Sequence, residues 1–226
     1  MTISGSLYPK QRGFHEKLTI ALTGGFACGK STAVQGFAKR GAFIIDADEV
    51  ARTLLTQDAC LISRIVNHFG TDYLDNNHRL NRLRLQQLIF QDISARLWRD
   101  ALIHPPVYAD IQHQLKQLRR RHSPYAIVTL PVFFENPPPL YPKIDRILVI
   151  SAPESSQIQR ALARSLAQQQ DSSLSETQIK QILASQLPLS EKIAKADDLI
   201  INDGNLANLD QQVQRYHQFY LGLTAS

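Results

Sequence analysis

Residues 24–31 have the types and the spacing that bind a chain of phosphate groups. They read Gly-Gly-Phe-Ala-Cys-Gly-Lys-Ser and match the pattern G-x-x-x-x-G-K-[ST] in full. Glycines let the backbone turn so that successive N–H groups point at an anion, and a following helix adds its positive dipole end. Lys30 can reach the β and γ phosphates, the Ser31 hydroxyl can ligate Mg²⁺, and Thr32 can contact the α phosphate. The pattern therefore predicts a site for ATP with Mg²⁺. The predicted nucleotide contacts of this loop are Gly24, Gly25, Phe26, Ala27, Cys28, Gly29, Lys30, Ser31 and Thr32.

A second chemical feature is a pair of carboxylates, Asp46 and Asp48, at the end of a predicted strand over residues 42–46. Doubly wound parallel sheets bind ligands beyond the carboxyl ends of their strands. One carboxylate could accept the proton of an attacking hydroxyl, and the other could position Mg²⁺ through its water shell. Alternatively, either Asp could cap the next helix, since Asp is a favoured N-cap residue.

The elements that must position these residues follow from the hydrophobic pattern. Short apolar runs alternate with helical patterns, which predicts an α/β fold with a parallel sheet and helices on both faces. The predicted strands span residues 18–22, 42–46, 125–130, 146–150 and 199–201, and the predicted core helices span 30–40 and 206–221. We expect the last helix to bury Leu206, Leu209, Val213, Tyr216 and Tyr220.

A long block between the second and third predicted strands reads as helical. One face carries the apolar residues of positions 61–69, and Gly70 ends that pattern. Helices over 82–90 and 93–103 follow, with Pro105 and Pro106 predicted to separate the latter from the next helix. The block is too long for a connection, so it predicts an inserted helical subdomain. A second, more polar helical region spans 154–184.

Composition limits the class of protein further. The chain has 226 residues and a formal net charge of +5. This positive charge suits polyphosphate ligands and would equally suit nucleic acid. Alternatively, it reflects only a solvated surface with a small surplus of basic residues. Two cysteines make neither a disulfide framework nor a four-ligand zinc site, so we expect a reduced, cytoplasmic setting. Residues 1–17 contain no hydrophobic segment typical of a secretory signal and are predicted to be a flexible tail. We expect no membrane partner.

The type of phosphate chemistry is narrowed by motifs that the chain lacks. GTPases carry N-K-x-D and D-x-x-G, and neither occurs in this sequence. A compact chain with a helical insertion favours a kinase of nucleotides or metabolites. One alternative is a nucleoside monophosphate kinase. Another is a regulatory or nucleic-acid-binding ATPase, supported only by the overall charge and the basic run at residues 119–121.

Five segments in order resemble the dephospho-CoA kinase family. They are Leu-Thr-Gly-Gly at 22–25, Ile-Asp-Ala-Asp at 45–48, Ile-His-Pro at 103–105, Leu-Pro-Val-Phe-Phe-Glu at 130–135, and Ala-Asp-Asp at 196–198 leading to Asn-Asp-Gly at 202–204. The resemblance implies a three-layer P-loop fold with a five-stranded parallel sheet. Its core would be 18–59 and 123–226, with a lid at about 154–196 and a helical CoA-binding insertion at about 60–122. It also implies ATP as co-substrate, dephospho-CoA as the acceptor, no nucleic-acid partner, and a monomer or weak homo-oligomer.

The same resemblance implies roles for single residues. Asp48 would be the general base with Asp46 beside it, and Lys30 and Arg164 would complete the catalytic set. Arg160 would contact the phosphates, because a planar guanidinium suits that task. The remaining residues that it implies are Asn202 and Gly204 at the adenine, and Arg82, His104 and Glu135 at the acceptor.

Three of these residues have plainer alternatives. His104 precedes Pro105 and could simply end a helix. Arg160 and Arg164 are four residues apart and could form a solvated helix face. Glu135 could be a surface residue.

Cys28 is a departure from the family, which commonly has Gly-Ser where this chain has Ala27-Cys28. Nearby N–H groups, Lys30 and a helix N-terminus would each stabilise a thiolate, which predicts a pKa below that of an ordinary cysteine. Alternatively, Cys28 is a small filler that points away from the phosphates.

Overall fold

The computed structural model describes residues 17–118, 122–131, 133, 144–167 and 174–225. Within these ranges the chain forms two compact units. The first is drawn from residues 1–45, 117–137 and 143–226, and the second from 46–116 and 138–142. The predicted flexible tail (apart from residue 17), the basic run at 119–121 and Glu135 lie outside the described residues.

The core of the first unit is a five-stranded sheet in the order β2-β3-β1-β4-β5. The strands are β1 (Thr19–Gly24), β2 (Phe43–Asp46), β3 (Ala126–Thr129), β4 (Arg146–Ser151) and β5 (Asp198–Ile201). The central strand β1 pairs in parallel with β3 and β4, and β4 pairs in parallel with β5. All residues of β1 and β3 are buried, as expected for strands covered on both faces. The α/β fold with a five-stranded parallel sheet, predicted from the pattern and the resemblance, is confirmed.

The helices of the described residues are α1 (Lys30–Lys39), α2 (Ala47–Gln57), α3 (Ala59–Phe69), α4 (Arg82–Gln91), α5 (Ile93–Leu118), α6 (Glu154–Ala167), α7 (Glu176–Ala184), α8 (Leu189–Ala194) and α9 (Leu206–Ala225). The polar region predicted at 154–184 contains α6 and α7, with residues 168–173 outside the description. Among the described residues, none of these helices combines the length and apolar character needed to cross a bilayer.

Aromatic side chains join the terminal helix to the sheet. Tyr220 of α9 stacks near Phe37 of α1, with ring centroids 6.2 Å apart, and meets Tyr125 edge to face. The Tyr125 hydroxyl lies 2.7 Å from Nδ1 of the buried His217, so this packing includes an internal polar pair. The prediction that Leu206 is buried was wrong: it is 73% exposed, because the buried stripe of α9 begins one turn later at Leu209.

The helix α5 corrects the prediction that Pro105 and Pro106 end it. It runs through both prolines although each lacks the N–H that would continue the helical hydrogen-bond ladder. Side chains on both sides of the prolines are buried, and this tertiary burial outweighs the lost hydrogen bonds. The buried residues are Leu102, Ile103, Val107, Tyr108 and Ile111.

Candidate functional site

The phosphate-binding loop lies between β1 and α1, where the motif requires it. The first hydrogen bond of α1 runs from the Ala33 N–H to the Gly29 carbonyl at 3.1 Å. The N–H groups of Lys30, Ser31 and Thr32 therefore precede the helical ladder and lie at the positive end of the helix. Ser31 and Thr32 are exposed. This arrangement can bind an anion without any further side chain.

Two glycines of the loop have positive φ values and leave no room for a side chain. Gly24 has φ 155°, and a Cβ there would collide with the Ile150 carbonyl oxygen. Gly29 has φ 99°, and a Cβ there would collide with Nδ2 of Asn202. The loop can follow its path between β4 and Asn202 only because both positions lack a side chain.

Lys30 is held against the loop that it serves. Its Nζ donates to the carbonyl oxygens of Gly24 at 3.0 Å and Gly25 at 2.7 Å. These bonds keep the ammonium group close to the loop backbone. The predicted catalytic cation is therefore positioned by the backbone of its own loop.

Cys28 lies beneath the loop with its side chain in the hydrophobic core. It is 0% exposed and belongs to the same buried cluster as Leu22, Phe37 and Ile150. Burial raises the pKa of the thiol and outweighs the opposing effect of Lys30. The prediction of a lowered pKa was wrong, and the alternative of a small filler residue fits the geometry.

Arg160 and Asn202 meet at the carbonyl group of Cys28. Asn202 is 5% exposed, and its Nδ2 donates to that oxygen at 2.8 Å. The guanidinium of Arg160 donates to the same oxygen at 3.5 Å and to the Asn202 carbonyl at 3.2 Å. The structure thus brings together two of the predicted nucleotide residues from α6 and the end of β5. The alternative that Arg160 lies on a purely solvated face does not hold.

Phe26 is contacted by two further segments. The guanidinium of Arg164, an exposed residue of α6, lies over the Phe26 ring at 5.3 Å from the centroid. The Phe26 N–H donates to Oε1 of Gln186 at 3.0 Å. Gly204 is exposed and lies between Asn202 and the start of α9.

Three polar residues near the loop were not predicted from the sequence: Gln157, Gln186 and Lys192. They line a cavity of about 260 Å³ that also includes Gly25. Gln157 donates to the Ala152 carbonyl at 2.8 Å and packs its Oε1 against Gly25, where a Cβ would lie 2.8 Å away. No local sequence signal marks these residues, because they lie more than a hundred positions from the loop in the chain.

In the second unit, Asp46 and Asp48 have different settings. Oδ1 of Asp46 accepts from the N–H groups of Asp48 at 2.9 Å and Glu49 at 3.3 Å, so Asp46 is the N-cap of α2. The capping alternative is therefore realised at Asp46. Asp48 is exposed in the first turn of α2, two residues beyond the strand.

Arg82 and His104, the predicted acceptor residues on α4 and α5, also differ in their exposure. Arg82 is exposed at the start of α4. His104 is half-buried in the middle of α5, so the alternative that it ends a helix was wrong. Its Nε2 lies 4.0 Å from a carboxylate oxygen of Asp100, which is also paired with Arg99. Burial lowers the pKa of His104, with Asp100 opposing and Arg99 adding to that effect.

The phosphate-binding loop joins the central strand of a five-stranded parallel sheet to the first helix, and two arginines of α6 contact this loop. This combination defines a P-loop kinase. The chain belongs to the dephospho-CoA kinase family, whose model matches residues 18–208.

Individual relatives agree with this assignment. A dephospho-CoA kinase of Coxiella burnetii is 40% identical over 204 residues, covering 90% of this chain and 97% of that protein. The structure is similar to that of a dephospho-CoA kinase from Campylobacter jejuni, with a TM-score of 0.59 and 26% identity over 89% of this chain and 96% of the other. A protein of Thermus thermophilus has the same fold, with a TM-score of 0.72 and 23% identity over 90% and 98% of the two chains.

Proposed function

We propose that this protein transfers the γ-phosphoryl group of ATP to the ribose 3′-hydroxyl of dephospho-CoA, which gives CoA and ADP in the last step of CoA biosynthesis. The acceptor is an alcohol, so the enzyme would be an alcohol phosphotransferase. The observation that carries the proposal is an intact phosphate-binding loop inside a family match that spans residues 18–208.

The nucleotide would be bound by the first unit. The N–H groups at the start of α1 would hold the β and γ phosphates, and Lys30 would exchange its bonds to the loop carbonyls for bonds to phosphate oxygens. Arg160 would contact the phosphates, and Asn202 and Gly204 would edge the adenine. Arg164 would neutralise charge on the transferred group, and α6 to α8 would form the lid, about residues 154–196.

Mg²⁺ fits the donor set of this loop. The described residues contain no cluster of three His, Cys, Asp or Glu side chains that could hold a metal. Mg²⁺ in phosphotransferases is bound mainly by phosphate oxygens and water, with one or two protein oxygens. The exposed hydroxyl of Ser31 in the first turn of α1 would be that protein ligand. When bound, Mg²⁺ would neutralise charge on the phosphates.

The acceptor would be bound by the second unit, with its helices at about residues 60–122 as the CoA-binding insertion. Asp48 would accept the proton of the 3′-hydroxyl, while Asp46 holds the first turn of α2 in place. Arg82, His104 and Glu135 would contact the acceptor. Because phosphoryl transfer proceeds through a loose transition state, positioning and charge neutralisation would contribute more than the base. We also propose a reduced cytoplasmic setting and a monomer or weak homo-oligomer.

The test is acceptor choice. Purified protein with Mg·ATP is given dephospho-CoA, AMP, or single-stranded RNA, and ADP is measured beside the phosphorylated product. We expect ADP to form in step with CoA and only with dephospho-CoA. Faster phosphorylation of AMP would favour a nucleoside monophosphate kinase, and ADP release stimulated by RNA without transfer would favour an ATPase. Either result would overturn the proposal.

A further inference from the structure

The phosphate-binding loop contains one residue in an uncommon backbone conformation. Ala27 has φ 52°, a left-handed conformation that residues with a side chain rarely adopt. It is the third residue of a turn in which the Cys28 N–H approaches the Gly25 carbonyl at 3.4 Å. Glycine is favoured at that position of turns with positive φ. Such a residue persists only when its surroundings hold it in place.

The peptide group between Gly25 and Phe26, at the entry to this turn, is held from outside the loop. The Phe26 N–H donates to Oε1 of Gln186 at 3.0 Å. The hydrogen bond from the Cys28 N–H to the Gly25 carbonyl is long and therefore weak. The bond from the Phe26 N–H to Gln186 is shorter and is the better defined of the two. Arg164 lies over the side-chain ring of Phe26.

Gln186 is itself fixed by the end of α7. Its N–H donates to the Leu183 carbonyl at 3.2 Å, and the preceding Ser185 N–H donates to the Gln181 carbonyl at 3.0 Å. The Ser185 hydroxyl adds a bond to the Ile182 carbonyl at 2.8 Å, and Ile179 anchors the helix at 0% exposure. The side-chain amide thus projects from an ordered helix end.

We propose that Gln186 is a positioning residue for ATP: its side-chain carbonyl holds the Phe26 N–H at the entry to the turn and thereby helps to keep Ala27, the next residue, in the left-handed conformation that shapes the phosphate-binding loop. The residue does not need to touch the nucleotide. This inference rests on the proposed use of ATP, but its structural step concerns the loop alone.

The position of Ala27 makes a specific rescue possible. A glycine in its place would adopt a positive φ without strain, so a loop with Ala27→Gly depends less on the bond from Gln186. A merely structural role of Gln186 in supporting α7 would be indifferent to the residue at position 27. The rescue therefore separates positioning of the loop from general stability.

The experiment compares Gln186→Met, which keeps the length but removes the acceptor, in chains with Ala27 and with Ala27→Gly. Gln181→Met, an exposed amide on the same helix, is the matched control. ATP binding is measured by calorimetry without acceptor, and deuterium uptake of the loop is measured without nucleotide. With Ala27, we expect Gln186→Met to weaken ATP binding about tenfold and to raise loop uptake. With Ala27→Gly, we expect the same change to weaken binding by about twofold or less.

Three results would overturn the inference: ATP binding of Gln186→Met within twofold of the parent, an equal loss for Gln181→Met, or the same loss in both backgrounds at position 27. The deuterium measurement does not need nucleotide or acceptor. A chain that bound no ATP but showed the increased uptake would contradict the proposed function while supporting the structural role of Gln186.

Discussion

In the first unit, the buried Asn202 helps to fix the phosphate-binding loop, whereas in the second unit the predicted acceptor residues Asp48 and Arg82 lie on helix surfaces. The carbonyl of Cys28 is bound by Asn202, and Lys30 is bound to loop carbonyls. Asp48 and Arg82 instead lie exposed in the first turns of α2 and α4. The two kinds of site are thus held in different ways.

The difference fits the ligands that we propose for the two units. Phosphates can be bound by backbone N–H groups, and a backbone site works only when the loop geometry is held by packing and hydrogen bonds. An acceptor hydroxyl is approached by side chains, which can take their final positions when the ligand binds. Changes in the first unit should therefore affect both ATP binding and stability, and changes in the second unit should mainly affect turnover.

The largest expected effect is that of Lys30→Ala. Loss of the cation removes transition-state charge stabilisation and two bonds to the loop, so we expect kcat/KM to fall by about 10³-fold or more. Initial rates of CoA formation measure this effect. Lys39→Ala, at the other end of α1, is the control and should remain close to wild type. A Lys30→Ala enzyme within tenfold of wild type would contradict the role of this residue.

A smaller effect is expected for Asn202→Ala. Among the described residues, this change leaves the buried carbonyl of Cys28 with the long bond from Arg160 alone, which should cost about 1–3 kcal/mol of unfolding free energy and weaken ATP binding several-fold. Denaturant unfolding and calorimetry measure the two quantities. Asn208→Ala, an exposed amide on α9, is the matched control. Equal losses in both variants would show that Asn202 has no special place in the loop.

The accessibility of the two cysteines, one in each unit, tests the difference between the units directly. Cys28 is buried with a raised pKa, and Cys60 is exposed at the start of α3. Mild alkylation at neutral pH should therefore label Cys60 alone, and Cys60→Ser should remain unlabelled with full activity. Intact mass and residual activity after treatment check this. Labelling of Cys28 at a similar rate, with protection by Mg·ATP, would instead support a reactive thiol in the loop.

The smallest effect concerns pH. Burial lowers the pKa of His217 in the first unit, with a smaller effect of Arg40, and burial likewise lowers the pKa of His104 in the second. As pH falls, the unfolded chain therefore binds protons at a higher pH than the folded chain does. The stability contributed by these two neutral histidines is present above about pH 6.5 and is lost as pH falls through the folded pKa values. Unfolding midpoints at pH 7.5 and 5.5 should show this loss, and His217→Gln should reduce it. His122→Gln, a change at an exposed histidine, should not reduce the loss. A midpoint that rises at low pH would contradict the prediction.

Local patterns predicted the parts of the molecule that depend on neighbouring residues. The strands, α1 and the loop at 24–31 follow from apolar runs, glycines and a motif, and their observed bounds differ by one or two residues. Tertiary effects account for the errors. Burial carries α5 through Pro105, and packing places Cys28 in the core rather than beside the phosphates.

Contacts between distant parts of the chain could not be predicted in the same way. Gln186 binds the loop across 160 positions, and a glutamine in a polar helical region carries no signal of such a contact. The role of Asp46 was ambiguous for a different reason, since both a cap and a site residue are expected at the end of a strand. Only the geometry of its Oδ1 distinguishes the two.

We propose that the first unit binds ATP and that Asp48 of the second unit acts at the acceptor. ATP binding and kcat are measured on the same Asp48→Asn preparation, with Glu49→Gln, a change at the exposed carboxylate next to it, as control. We expect kcat to fall about 10²–10⁴-fold while the ATP dissociation constant stays within twofold, and Glu49→Gln should change neither. An Asp48→Asn enzyme that turns over within a few-fold of wild type, or that loses ATP binding as strongly as Lys30→Ala, would contradict it.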